Sequence, residues 1–185
     1  MPKPYNVPLF QVPQFASTRY QGSKNKLVKW MWNTIKPLTF ETCLDAFGGT
    51  GVVAWHMKQA GKTVTYNDIL KFNYHIGHAL VENQKVKLTR DDIDWLSSRH
   101  QEIEYPSFIR QTFQDIYFTD TENIWLDQTI TNMRQLRDPY KFSLAFFALA
   151  QACIIKRPYN LFHRKNLYVR TANVERSFGN KTTWD

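Results

Sequence analysis

The chain has 185 residues, 43% of them hydrophobic and 15% aromatic, which suits a packed domain of ordinary size and excludes a disordered polypeptide. No stretch approaches 18 successive apolar residues, so no membrane-spanning helix is expected, and the opening Met-Pro-Lys-Pro-Tyr-Asn lacks the apolar core of a secretion signal. The net charge of +8 is unevenly spread: twelve bases face four acids up to residue 90, two face nine over 91–127, and ten face three from 128 onward. Basic flanks around an acidic middle suit a polyanionic partner such as nucleic acid, although a solvated basic surface has the same composition. Cys43 and Cys153, each among apolar neighbours, read as two buried free thiols of a reducing cytoplasm.

In chain order, the Pro-rich start through Ser17 reads as an extended arm. Leu27, Trp30, Met31 and Ile35 then recur at helical spacing and predict a helix from Lys24 that stops near Pro37. Thr42–Phe47 reads as a short buried strand running into Gly48-Gly49-Thr50-Gly51. A helix over Val52–Ala60, closed by Gly61, and an alternating strand Thr63–Tyr66 complete a βαβ unit. Further helices are expected over 71–83, Asp91–His100 and Glu122–Leu136. Tyr140–Lys156 carries so many apolar residues that it is expected to be buried nearly all round. From Arg157 the chain turns basic and aromatic without clear periodicity.

The chemistry sits in the glycine turn. A strand that ends in glycines lets the backbone approach a ligand at the positive end of the next helix. Asp68, just past the second strand, is placed to accept ribose hydroxyls, so an adenosine-type cofactor across the strand ends is expected. Gly49-Thr50-Gly51-Val52-Val53-Ala54 also fits the loose dinucleotide pattern G-x-G-x-x-A, which keeps an NAD-binding oxidoreductase fragment as an alternative. Against it, Asp45 would repel a pyrophosphate but could hold the ammonium of a methionine moiety. Gly61-Lys62-Thr63 resembles the end of a phosphate-binding loop, but position 56, where that loop needs its first glycine, is His56, and a helix precedes it.

Leu44-Asp45-Ala46-Phe47-Gly48-Gly49-Thr50-Gly51 resembles the D-x-F-x-G-x-G cofactor motif of Dam-type, alpha-class N6-adenine DNA methyltransferases. Arg19-Tyr20-Gln21-Gly22-Ser23-Lys24 is similar to the Y-x-G-[GSN]-K segment upstream of it in that family, and Asn67-Asp68-Ile69 to the family's N-D-[IL]. The resemblance covers residues 19–69 well and the rest more loosely. It implies an α/β, Rossmann-like S-adenosylmethionine-dependent methyltransferase fold and methylation of DNA adenine at N6, with S-adenosyl-L-methionine as cofactor, DNA as partner and no metal. Tyr20 and Lys24 would contact the methionine end of the cofactor, with Gly22 keeping the backbone close. Asp45, Phe47, Gly49 and Gly51 would form the pocket floor, Asp68 would take the ribose hydroxyls, and Ile69 would pack on the adenine.

The family's catalytic [DNS]-P-P-[YFW] motif does not occur in the 185 residues. Asp138-Pro139-Tyr140 comes nearest but has one proline, and it reads better as a helix start with Asp138 capping. With two confident strands the sheet is expected to be incomplete. The chain is therefore expected to be a truncated, split or degenerate enzyme that needs a complementing polypeptide, or else an inactive cofactor- or DNA-binding module. Arg157, His163, Arg164, Lys165, Arg170, Arg176 and Lys181, interleaved with aromatic rings, are the expected DNA contacts. The expected organisation is an arm and cofactor-binding βαβ region over 1–90, a helical segment packing on the core over 91–156, and the start of a target-recognition region, basic in character, over 157–185.

Overall fold

The computed structural model describes residues 22–156. These fall into two units divided between Val86 and Lys87, each with its own internal packing.

The first unit opens with a 3-10 turn, Lys24–Lys26, that leads into helix α1, Val28–Ile35. The helix forms where the apolar spacing predicts it, but the buried face is different. Val28 is the buried residue, while Leu27 and Trp30 face solvent. Val28 packs against Val52 of the next helix, with Val53, Trp55 and Leu80 around them. Strand β1, Thr42–Asp45, pairs in parallel with β2, Thr63–Tyr66, with Asp45 opposite Tyr66. Helix α2, Val52–Gln59, makes the crossover between them. It begins at Gly51, whose φ of 76° no β-carbon residue adopts cheaply, and stops before Gly61 at φ 77°.

Both strands alternate in burial. Cys43, Asp45, Val64 and Tyr66 lie on the covered face, and Thr42, Leu44, Thr63 and Thr65 on the exposed one. Among the described residues these two strands are the whole sheet, and one of its faces carries no helix of this unit. The expected helix over 71–83 is in fact α3, Lys71–Gly77, followed by a π-helical turn, His78–Glu82. Lys58 of α2 donates to the carbonyls of Leu80 and Asn83 and so ties off that wider turn.

In the described part of the second unit every regular element is a helix. Helix α4, Arg90–Ser97, and α6, Asp120–Met133, each start with a reciprocal capping box, Thr89 with Asp92 and Thr119 with Glu122. The short α5, Phe108–Thr112, has no apolar periodicity in the sequence to announce it. It forms because the buried Asp127 carboxylate accepts from the backbone N–H groups of Ile109 and Arg110 at 2.8 and 3.0 Å. Asn132, fully buried, donates to the carbonyls of Leu96 and Ser98 and accepts from the Tyr105 hydroxyl at 2.9 Å, clamping α4 to α6.

Helix α7, Pro139–Lys156, begins as read: the Asp138 carboxylate accepts from the N–H of Tyr140 and of Lys141. It is not buried all round. Among its residues whose burial is described, only Ser143 and Ala145 are buried, and Ala148 is exposed. Its apolar side chains line an open cleft of about 400 Å3 with Phe113, Phe118 and Ile130. The two cysteines are free but only partly buried, another departure from expectation. Burial, aided by the charge of Glu122, pushes the Cys153 thiol up to about 11, so it is protonated and inert at neutral pH. Among the described residues no helix is long and apolar enough to cross a membrane.

Candidate cofactor site

Parallel strands aim their carboxyl ends the same way, and β1 ends at Asp45 while β2 ends two residues before Asp68. Backbone bonds fasten the two exits together. Asn67 N–H donates to the Asp45 carbonyl and Gly48 N–H to the Asn67 carbonyl, both at 2.9 Å. The Asn67 amide also reaches the Ala46 carbonyl at 2.8 Å. The glycine turn and the Asn-Asp segment are thus one rigid rim.

Glycine is required in that rim for two reasons. Gly49 has a φ of 54°, and its N–H donates to Asp68 Oδ2 at 2.8 Å. Gly48 faces the ring of Tyr66 so closely that a Cβ there would lie 2.0 Å from Tyr66 Cε2. The same ring meets Gly77 of α3 on its other edge, where a Cβ would lie 2.3 Å from Cδ1. The Tyr66 hydroxyl lies 2.6 Å from the Gly49 carbonyl and 3.1 Å from that of Asn73. Tyr66 is therefore wedged between two glycines and moors the turn to α3.

The two carboxylates differ in character. Asp45 Oδ2 accepts from Ala54 N–H at 3.2 Å, standing in for the capping side chain that Gly51 lacks. Burial holds the Asp45 carboxyl above the ordinary range; the charge of Lys24 and the Ala54 bond pull it down, and the Asp68 charge pushes it up again. Asp68 is shifted the other way. Burial acts to raise it but is outweighed by hydrogen bonds from Leu70 N–H, the Asn73 amide and Gly49 N–H, with Lys24 adding its charge. Lys24 donates from Nζ to the Phe47 carbonyl at 3.2 Å, which places its ammonium beside both acids.

The structure thus brings Lys24, Asp45, Phe47, Gly49, Gly51 and Asp68 to one rim, with Ile69 next in chain. Gly22 adopts a φ of 84° just before Lys24. Phe47 and Ile69 are 83% and 95% exposed, apolar surfaces open to a flat partner. Tyr20 lies outside the described residues, as do Arg157, His163, Arg164, Lys165, Arg170, Arg176 and Lys181. Sequence reasoning missed Tyr66, Asn73 and Gly77. Tyr66 was legible as a strand residue but not as the ring between glycines, because that contact joins positions far apart in the chain.

A half-buried carboxylate with a raised pKa and a second one held ionised make a rim suited to a cationic, hydroxyl-bearing ligand. The Asp45 carboxylate, costly to ionise alone, gains most from a positive group. The residues present therefore fit an S-adenosylmethionine-type nucleoside better than a pyrophosphate.

The family model of the D12 class N6 adenine-specific DNA methyltransferases matches residues 20–182. The chain is also 31% identical over 150 residues to the Type II methyltransferase M2.HphI of Haemophilus parahaemolyticus. That alignment covers 81% of this chain and 44% of the relative, so the chain spans less than half of that protein's length. No solved structure matches. The dinucleotide alternative falls away, and the chain belongs to the D12 class of N6 adenine-specific DNA methyltransferases.

Proposed function

We propose that this chain supplies the cofactor-binding half of an S-adenosylmethionine-dependent DNA adenine-N6 methyltransferase. Its βαβ unit would be the opening of a Rossmann-like methyltransferase sheet. The observation that carries the reading is the convergence of Lys24, Asp45 and Asp68 at the carboxyl ends of two parallel strands, across a glycine turn.

When bound, S-adenosylmethionine brings a methyl group already activated by its sulfonium, so the protein's task is placement. Asp45 would hold the methionine ammonium, with Tyr20 and Lys24 near the carboxylate end. Asp68, whose two oxygens already serve three internal donors, keeps acceptor capacity for a ribose hydroxyl. Gly49 and Gly51 would let the nucleoside lie close to the backbone, and Phe47 and Ile69 would cover the adenine.

The amine of the target base must be gripped by a D-P-P-Y-type segment after the base leaves the helix. We assign that segment to polypeptide other than these 185 residues, in the same cytoplasm, as a complementing partner. Arg157, His163, Arg164, Lys165, Arg170, Arg176 and Lys181 are assigned to DNA phosphate and base contacts. A thermal-shift series tests the cofactor half: S-adenosylmethionine in excess raises the melting temperature of the chain, and NAD at equal concentration does not. A rise with NAD alone would overturn the proposal.

A further inference from the structure

Asn73, on the first turns of α3, is 1% exposed, and its Nδ2 donates to Asp68 Oδ1 at 2.9 Å. Its other amide atom, Oδ1, is buried without a hydrogen-bond partner. The amide orientation is set by chemistry, since turning it over would point its oxygen at a carboxylate. A buried, unpartnered carbonyl costs stability, and an apolar side chain at this position would avoid that cost. An amide is nevertheless kept here, and its side chain is spent on a single partner, the Asp68 carboxylate. What it does is visible in the bond it makes. Leu70 N–H at 2.9 Å and Asn73 Nδ2 share Asp68 Oδ1, while Gly49 N–H takes Oδ2. Leu70 belongs to Asp68's own turn and follows its motion. Asn73 is anchored by the helix, and its backbone carbonyl, unlike the side-chain one, lies within hydrogen-bond reach of the Tyr66 hydroxyl that also moors Gly49.

We infer that Asn73 is a positioning residue for cofactor binding: it fixes the rotation of the Asp68 carboxylate so that its remaining acceptor direction points outward to the ribose. This rests on the proposed cofactor reading. It acts through Asp68 and touches no ligand itself.

The test is titration calorimetry of the full chain with S-adenosylmethionine, using wild type, Asn73→Ala, Asp68→Asn and the double variant. Asn73→Ala is expected to weaken binding about tenfold and to lower the melting temperature somewhat, since a bond to a carboxylate is lost and a buried side chain is shortened; the binding loss is separated from the stability loss by the double variant. In the Asp68→Asn background the same change is expected to cost nothing more. The acid limb of binding also moves to higher pH in Asn73→Ala, since Asp68 has lost a donor; Lys24 and Asp45, the charged groups facing it, are unchanged. Should Asn73→Ala melt without cooperativity, the isosteric Asn73→Asp, which replaces the donor with a like charge, is expected to weaken binding at least as much. Wild-type affinity in Asn73→Ala, or an equal loss in the Asp68→Asn background, overturns this inference alone. A folded wild-type chain that binds no S-adenosylmethionine overturns the reading beneath it as well.

Discussion

Asp45 and Asp68 share a rim, yet folding moves their proton affinities in opposite directions. Asp45, raised by burial, favours the folded chain fully below its unfolded value of about 3.9 and loses that contribution as pH rises through its folded value. Asp68, lowered by its donors, contributes above about 3.9 and loses that as pH falls through its folded value. At neutral pH an ionised Asp45 is thus a cost that a bound cation would offset. Asp45→Asn keeps an oxygen for Ala54 N–H but removes the charge. It is expected to raise the melting temperature, by a margin that grows from pH 4 to pH 7, and to weaken S-adenosylmethionine about tenfold or more. Melting curves across that range, paired with binding isotherms, check both halves. A lower melting temperature with unaltered affinity would count against the assignment.

At the scale of elements, what the sequence reveals depends on how local the cause is. The second strand, Thr63–Tyr66, is legible to the residue, because alternation and a flanking glycine are both local. So is the start of α7, where Asp138 and Pro139 supply cap and first turn. The short α5 is not legible, because the carboxylate that caps it comes from Asp127, 18 residues beyond Ile109. The solvent-facing Trp30 and the half-open α7 escape for the same reason: composition says which residues are apolar, and only the fold says which find a partner. The described residues of the candidate rim were legible through their motifs, whereas the Tyr66 wedge needs two elements in register. Gly77→Ala drives a Cβ into that ring and is expected to cost about 1–3 kcal/mol, read as a fall in denaturant midpoint; an unchanged midpoint would show that Tyr66 moves aside freely.

The second unit offers its own test. The Lys141 ammonium bridges both oxygens of Asp92 at 2.8 Å. That bond, with those from Thr89, draws the Asp92 carboxyl down to about 2. Its contribution is present above about pH 4 and is lost as pH falls toward 2. Lys141→Met is expected to cost about 1 kcal/mol at pH 7 and much less near pH 2, as measured by denaturation at the two values.

For the whole molecule, the described parallel pair leaves Leu44 64% exposed on a face that parallel sheets ordinarily cover. The D-P-P-Y pattern does not occur in the 185 residues, and the chain spans 44% of the relative's length. The central claim is narrower and can be tested on the chain itself. Titration of the folded protein with S-adenosylmethionine in a calorimeter should give saturable, one-to-one heat that Asp45→Asn diminishes. Heat indistinguishable from dilution in a folded preparation of the chain would contradict it.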